Sequence, residues 1–396
     1  MNSQQSEANF SPFEIACAAW SAITEPGDEF AGYLRESLGV EQALLAISHQ
    51  GLDEILQSLH QSGSLEAGVA RFANLRQVLS ESKERYLPRI NPKILNLNLA
   101  LLKRLSGWLV TPRHQDWPSG LDDLGWGAPA ALWGIGSRKA LETLNRAVSI
   151  VGSRGASPYG EWVTLDFVAE LVSRGYTVVS GGAYGIDGLA HNATLRVGGT
   201  TIAVMAGGID RLYPSGHQSL FKEICQGGAI ISEQAPGASP TKWRFLQRNR
   251  LIAALGNVTL IVEAGARSGS INTANHALSI GRPIGAIPGP ITSSSSAGAN
   301  RLISEGIAQL IAKPGDVAAL AGDSNQLLIE KDGDDLGGLE QRALDAIGTR
   351  PAQASEIAKR AGLTSQELSI ALGQLLLTGR ISQRDGSYFK VKQTTI

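Results

Sequence analysis

At 396 residues, 43% apolar and 18% charged, the chain is too long for one small module and too apolar for a disordered polymer, and it fits two to four domains with a large core. A net charge of -1 excludes recognition of a polyanion by the field of the whole molecule, so phosphate binding must come from charge concentrated locally. Cys17 and Cys225 stand far apart in no metal or redox spacing, the opening residues lack signal-peptide features, and no run is apolar enough for a membrane span; these features predict a cytoplasmic protein with no membrane partner.

Residues 1–105 carry helical periodicity, as in EIACAAWSAI and GVEQALLAIS, and predict an N-terminal helical domain. Residues 106–146 are rich in Trp, Pro and Gly. They read as a connector packed on the core, because Trp117, Trp126 and Trp133 would not be left in water. From 147 to 321, six short apolar runs (AVSIVG, YTVVSGG, TIAVMAGG, GAIISE, VTLIVEAG, PIGAIPGP) alternate with helix-length segments. That alternation predicts an α/β domain, a doubly wound, Rossmann-like parallel sheet covered on both faces. Residues 322–338, GDSNQLLIEKDGDDLGG, read as an acidic linker. Residues 339–396 predict three helices, the third capped by Thr364 or Ser365, and then a hairpin with an Asp-Gly turn, which is winged-helix order.

In an open parallel sheet, ligands bind outside the carboxyl ends of the strands. The segments following the apolar runs contain Gly152-Ser153-Arg154, Ser180 to Asp187, Ala206 to Asp210 with Tyr213-Pro214, Ser232-Glu233, Glu263 to Ser270, and Pro288-Gly289-Pro290. Glycines there admit a ligand close to the backbone, and helix N-termini offer N–H groups to an anion. One such turn is as readily structural. Several of them, with Arg154, Arg211, Arg248, Arg250 and Arg267, point to a phosphate site. No Walker A, dinucleotide or nucleophile-elbow motif occurs, and the six histidines have no metal-ligand spacing. His191 and His276 read as packing residues and Asp187 as a helix cap. No catalytic residue, metal or cofactor is predicted.

The segment KWRFLQRNR, residues 242–250, places Lys242, Arg244, Arg248 and Arg250 around Trp243 and Phe245 without an acid. Cations for phosphates and flat partners for bases suit single-stranded nucleic acid, where stacking is worth about 1–3 kcal/mol per base. The competing reading puts both aromatics in the core and leaves the arginines merely solvated. Tyr184 and Tyr213, in other strand-end loops, supply further stacking surface.

These residues resemble the DprA/Smf family, DNA-processing protein A. The resemblance rests on VGSR with SPYG (151–160), VVSGGAYGIDGLAH (178–191), YP (213–214), ISE (231–233), RNRLIAAL (248–255), VEAGARSGSINTA (262–274), IPGP (287–290) and GANRLISEGIA (298–308), in order. It implies an N-terminal SAM-like domain, an extended Rossmann domain and a C-terminal winged helix. It further implies a non-enzymatic protein that binds single-stranded DNA, protects it in natural transformation, loads RecA recombinase and forms a homodimer. Carried onto this chain, the DNA pocket uses Gly152, Ser153, Arg154, Ser180, Gly181, Arg248, Asn249, Arg250, Arg267, Ser268, Gly269 and Thr273, and the cluster adds Lys242 and Arg244. Three positions depart from the family pattern. Tyr184 stands where a basic residue is usual, Leu246 replaces the proline before the RNR motif, and His217 stands near the place of an asparagine. Two other readings compete: an enzyme acting on a nucleotide-derived small molecule, with Glu263 as its acid, and a duplex-DNA regulator using the winged helix. Arg380, at its end, is the only basic residue of the third helix of that winged helix, which favours packing or protein binding there.

Overall fold

The computed structural model describes residues 10–323, 338–348, 351–377, 379–384 and 386–391. The chain forms two compact units, residues 1–323 and 324–396. Most of the expected linker, residues 324–337, lies outside the described residues, as does Asp385 of the expected Asp-Gly turn.

The first unit opens with seven α-helices among the described residues: α1 Pro12–Ile23, α2 Glu29–Leu38, α3 Val40–His49, α4 Leu52–Gln61, α5 Leu65–Arg71, α6 Leu75–Tyr86 and α7 Pro92–Arg104. Helix α1 starts where the sequence stops competing with it. Ser11 accepts from the Glu14 N–H, Glu14 answers the Ser11 N–H, and Pro12 pre-sets the first turn. Trp20, Tyr33, Leu34, Ile47, Ile55, Leu59, Leu79 and Tyr86 fill the centre of this layer, with Trp20 edge-on to Tyr86 at 5.9 Å.

Residues 106–146 are more than a connector. They supply β1 (Trp108–Val110) and β2 (Leu132–Gly136), antiparallel to each other. Their alternation is short and broken by Gly134, which has no room for a Cβ because the Trp108 ring covers it. Trp133 is fully buried, Trp117 nearly so, and Trp126 half-buried.

The six apolar runs are strands β3 (Ala147–Val151), β4 (Thr177–Ser180), β5 (Thr201–Val204), β6 (Ala229–Ser232), β7 (Val258–Ile261) and β8 (Ile284–Ala286). All their residues are buried, as a sheet covered on both faces requires. A short exposed edge strand, β9 (Gln309–Leu310), carries no apolar run and leaves no mark in the sequence. Between the strands run α8 (Pro158–Ser173), α9 (Ile186–Arg196), α10 (Gln218–Gly227), α11 (Lys242–Leu255), α12 (Gly269–Ser279) and α13 (Ala297–Ser304), and α14 (Pro314–Leu320) follows β9. The sheet order is β1-β2-β6-β5-β4-β3-β7-β8-β9, parallel from β6 through β9, with β2 antiparallel to β6. Chain order reverses between β3 and β7. Neighbouring helices leave that point toward opposite faces, which opens a crevice at the carboxyl edge.

The second unit contains α15 (Gly338–Ala346), β10 (Ala352–Gln353), α16 (Ala354–Ala361), α17 (Ser365–Leu377), β11 (Ile381–Arg384) and β12 (Ser387–Lys390), the strands ordered β10-β12-β11. This is a winged helix around Ala343, Ile347, Ile357, Leu372, Leu375 and Ile381. Thr364 caps α17, its hydroxyl accepting from the Glu367 N–H.

Candidate nucleic-acid interface

At the reversal between β3 and β7 lies a cleft of about 510 Å³. Its floor is the loop after β3, with Gly152, Ser153 and Arg154. One flank is α11, turned so that Phe245, Arg248, Asn249 and Ile252 face inward. The other is the loop carrying Arg267 and Ser268 into α12, with Gly269, Ser270 and Thr273. Asp187, in the first turn of α9, closes the end. Close packing dictates the glycines. A Cβ on Gly152 would sit 2.6 Å from the Ile186 side chain, and one on Gly181 would sit 2.5 Å from the Arg248 guanidinium.

The charged residues lining the cleft are Arg154, Arg248, Arg267 and Asp187, three cations to one anion. Arg154 and Arg267 are exposed and form no ion pair among the described residues. Arg248 is buried; its Nη1 donates to the Gly181 carbonyl at 2.8 Å and to that of Val204. Burial pushes its pKa down to about 10, Asp187 opposes that and Arg154 adds to it. Burial pushes the Asp187 carboxyl up, held in check by Arg248 and by the N–H groups of Ala183, Gly181 and Gly152. Asp187 therefore ties the β3 and β4 loops to α9, which is more than the helix cap its sequence position implies. Asn249 accepts from Arg248 Nε at 3.2 Å and donates to Asn272 at 3.1 Å and to the Gly269 carbonyl at 3.3 Å, fixing the mouth of α12. The N-terminus of α12 opens here and adds partial positive charge, whereas that of α9 carries Asp187 in its first turn and gives its Ile186 N–H to the Ser153 carbonyl.

The cleft thus gathers Gly152, Ser153, Arg154, Arg248, Asn249, Arg267, Ser268, Gly269 and Thr273 from the sequence-derived set. Gly181 lies directly beneath Arg248. Ser180 is buried, its hydroxyl donating to the Ile150 carbonyl at 2.6 Å, so it joins β4 to β3 and does not face the cleft. Arg250 points away from the cleft into a buried ion pair with Glu233. Arg244 is held by Glu25 at 2.9 and 3.0 Å. Lys242 lies on the cleft-facing stripe of α11, three residues before Phe245, while Trp243 is exposed on another side. Tyr184 stands on the rim against His217. Val151, Ala183, Asp187, Leu246, Ile252, Gly265 and Ser270 also line the cleft and were not among the residues assigned to the DNA pocket. For Ile252, the i+7 spacing from Phe245 and the i+4 spacing from Arg248 are the signal that finds it, and Leu246 follows from Asn249 three residues on. Glu263, the acid considered for an enzyme, is consumed by the N–H and hydroxyl of Ser157 at the start of α8. His191 is buried against Thr201 at 2.7 Å, and burial pushes its pKa down to about 3.

Comparison with known proteins places this architecture. The family model for DNA recombination-mediator protein A matches residues 108–322, and the model for the DprA winged helix domain matches 330–387. The chain belongs to the DprA/Smf family. It is 40% identical over 307 residues to the DNA processing protein DprA of Mycobacterium tuberculosis, covering 74% of this chain and 79% of the relative. Protein Smf of Escherichia coli is 36% identical over 275 residues, 67% of this chain and 72% of the relative. The X-ray structure of DNA processing protein A from Streptococcus pneumoniae superposes with a TM-score of 0.60 at 30% identity, covering 78% of this chain and 98% of that one. Among the described residues no helix is long and apolar enough to cross a membrane.

Proposed function

We propose that this DNA-processing protein binds single-stranded DNA in the cleft between β3 and β7 and acts as a non-catalytic recombination mediator. One observation carries the reading. Arg154 and Arg267 stand exposed and without an ion pair among the described residues in two loops lining the cleft, Arg248 lines it too, and Phe245 offers a ring on the flank. Phosphates meet the guanidinium groups and the open N-terminus of α12, while an unstacked base meets the ring. A duplex keeps its bases stacked inward and gains only the phosphate contacts. The family resemblance extends the proposal to loading of RecA, to action as a homodimer and to a cytoplasmic site of action.

The test is fluorescence anisotropy of a labelled oligothymidine against an equal-length duplex, each titrated with salt. For the single strand, log K falls against log salt by about 0.7 for each phosphate neutralised. Equal, weak binding of both substrates refutes the reading. A small-nucleotide enzyme has one observation in its favour: Asp187 is a buried carboxyl in the cleft with a raised pKa. Turnover of nucleoside monophosphates that disappears in Asp187→Asn establishes that alternative.

A further inference from the structure

The carboxyl edge of the sheet continues past the cleft, from β3 over β4 to β5. Each of the next two loops presents one tyrosine. Tyr184, in the loop after β4, is 48% exposed, and Tyr213, in the loop after β5, is 50% exposed. Neither ring is loose. Tyr184 is held edge-on by His217, with ring centroids 4.8 Å apart at 76°, and His217 is itself fixed by donating from Nδ1 to the Gly182 carbonyl at 3.0 Å. Tyr213 is held by Phe245 at 5.4 Å and 63°. The two tyrosines belong to touching loops, because a Cβ on Gly216, three residues after Tyr213, would meet the Tyr184 hydroxyl at 2.5 Å. Phe245 also lines the cleft, so the Tyr213 ring continues an aromatic surface that begins inside it.

We infer that Tyr184 and Tyr213 form a stacking ledge for the bases of a single strand leaving the cleft, with Lys242 and Arg211 beside it for the phosphates. The inference rests on the single-strand reading of the cleft and gives the strand a direction. Charge favours this exit. Lys242 has no ion pair among the described residues, and the nearby Asp210 is occupied by the Gly237 N–H at 2.7 Å and by Arg211 at 3.6 Å. The opposite exit, over α8, also shows aromatics in Tyr159 and Trp162, but Glu161 and Asp166 lie exposed on the same helix and repel a phosphate backbone. Adjacent strands lie about 4.8 Å apart, so the ends of β4 and β5 extend the track by about 10 Å, room for roughly two nucleotides.

The experiment measures anisotropy for a ladder of oligothymidines, tetramer to dodecamer, with the full chain, Tyr184→Ala, Tyr213→Ala and the corresponding Phe variants. In the unsubstituted protein, affinity climbs as the oligomer grows onto the ledge. Each Ala variant weakens the longer oligomers roughly 5- to 150-fold, the range expected for losing one stacked base, without changing the salt slope. The Phe variants, which keep the ring, restore the climb. Two abasic positions placed at the exit end reproduce the Ala result in the unsubstituted protein. Ala variants whose length dependence matches the unsubstituted protein overturn the ledge while leaving the cleft standing. Failure of the unsubstituted protein to bind any oligomer overturns the single-strand reading and the ledge with it.

Discussion

Arg250→Ala separates two roles that look identical in the RNR motif. The Arg250 side chain is 5% exposed and ion-paired with Glu233, itself 7% exposed. Its Nε and Nη1 lie buried with no hydrogen-bond partner among the described residues, and that burial keeps the guanidinium from a ligand in the cleft. Removing it leaves Glu233 as an uncompensated charge in the core, which costs about 3–5 kcal/mol. The carboxyl, already pushed up by burial, then takes a proton more readily. Urea unfolding of the variant reads that loss as an earlier midpoint with an unchanged slope. Anisotropy at low temperature, where the variant is still folded, gives the affinity and salt slope of the unsubstituted protein. Changing Glu233→Leu together with Arg250→Met recovers most of the stability, because a packed apolar pair needs no charge compensation. A variant of full stability whose salt slope is shallower by about 0.7 refutes the reasoning, since it puts Arg250 on a phosphate.

Arg154→Ala and Arg267→Ala each make the salt slope shallower by about 0.7, and thermal melting stays within about 0.5 kcal/mol of the parent, because both side chains are exposed and unpaired. Gly181→Ala drives a methyl into the Arg248 guanidinium and costs about 1–3 kcal/mol, with weaker oligothymidine binding in the same preparation. His191 titrates far below its ordinary range because it is buried. Its contribution to stability is complete above about pH 6.5 and drains away toward about pH 3, a loss that urea midpoints measured across that window show and that His191→Gln reduces. Glu25 resists its partial burial through hydrogen bonds and attraction from Arg244 and further attraction from Arg89, which lower its pKa. Its stabilising pair is complete above the ordinary glutamate range and is lost as pH falls through the lowered value, a dependence that Glu25→Gln removes from an acid titration of folding.

The parallel sheet was legible because β3 to β8 are buried on both faces and leave near-continuous apolar runs, five of the six followed by a glycine-containing turn. The edge strands were not. β1 and β2 are short and interrupted by glycine and tryptophan, and β9 is an exposed pair of residues. The loops lining the cleft could be read from strand ends, because topology alone brings the β3 and β7 ends together. Which arginine of KWRFLQRNR faces the cleft could not. All four cations sit on one helix, and its rotation is settled by partners distant in sequence, Glu25 for Arg244 and Glu233 for Arg250. The 100° step of the helix separates Arg250 from Phe245 once one of them is anchored, but sequence supplies no anchor. Both opening readings of the cluster hold in part: Phe245 and Arg248 face the cleft, and Arg244 and Arg250 are bound within the protein.

The most direct test of the central claim is a crystal structure of the chain with a short oligothymidine. The account predicts a phosphate between Arg154 and Arg267 at the mouth of α12, with a base against Phe245. An oligonucleotide bound only by the winged helix of residues 338–391, with the cleft open to solvent, contradicts it.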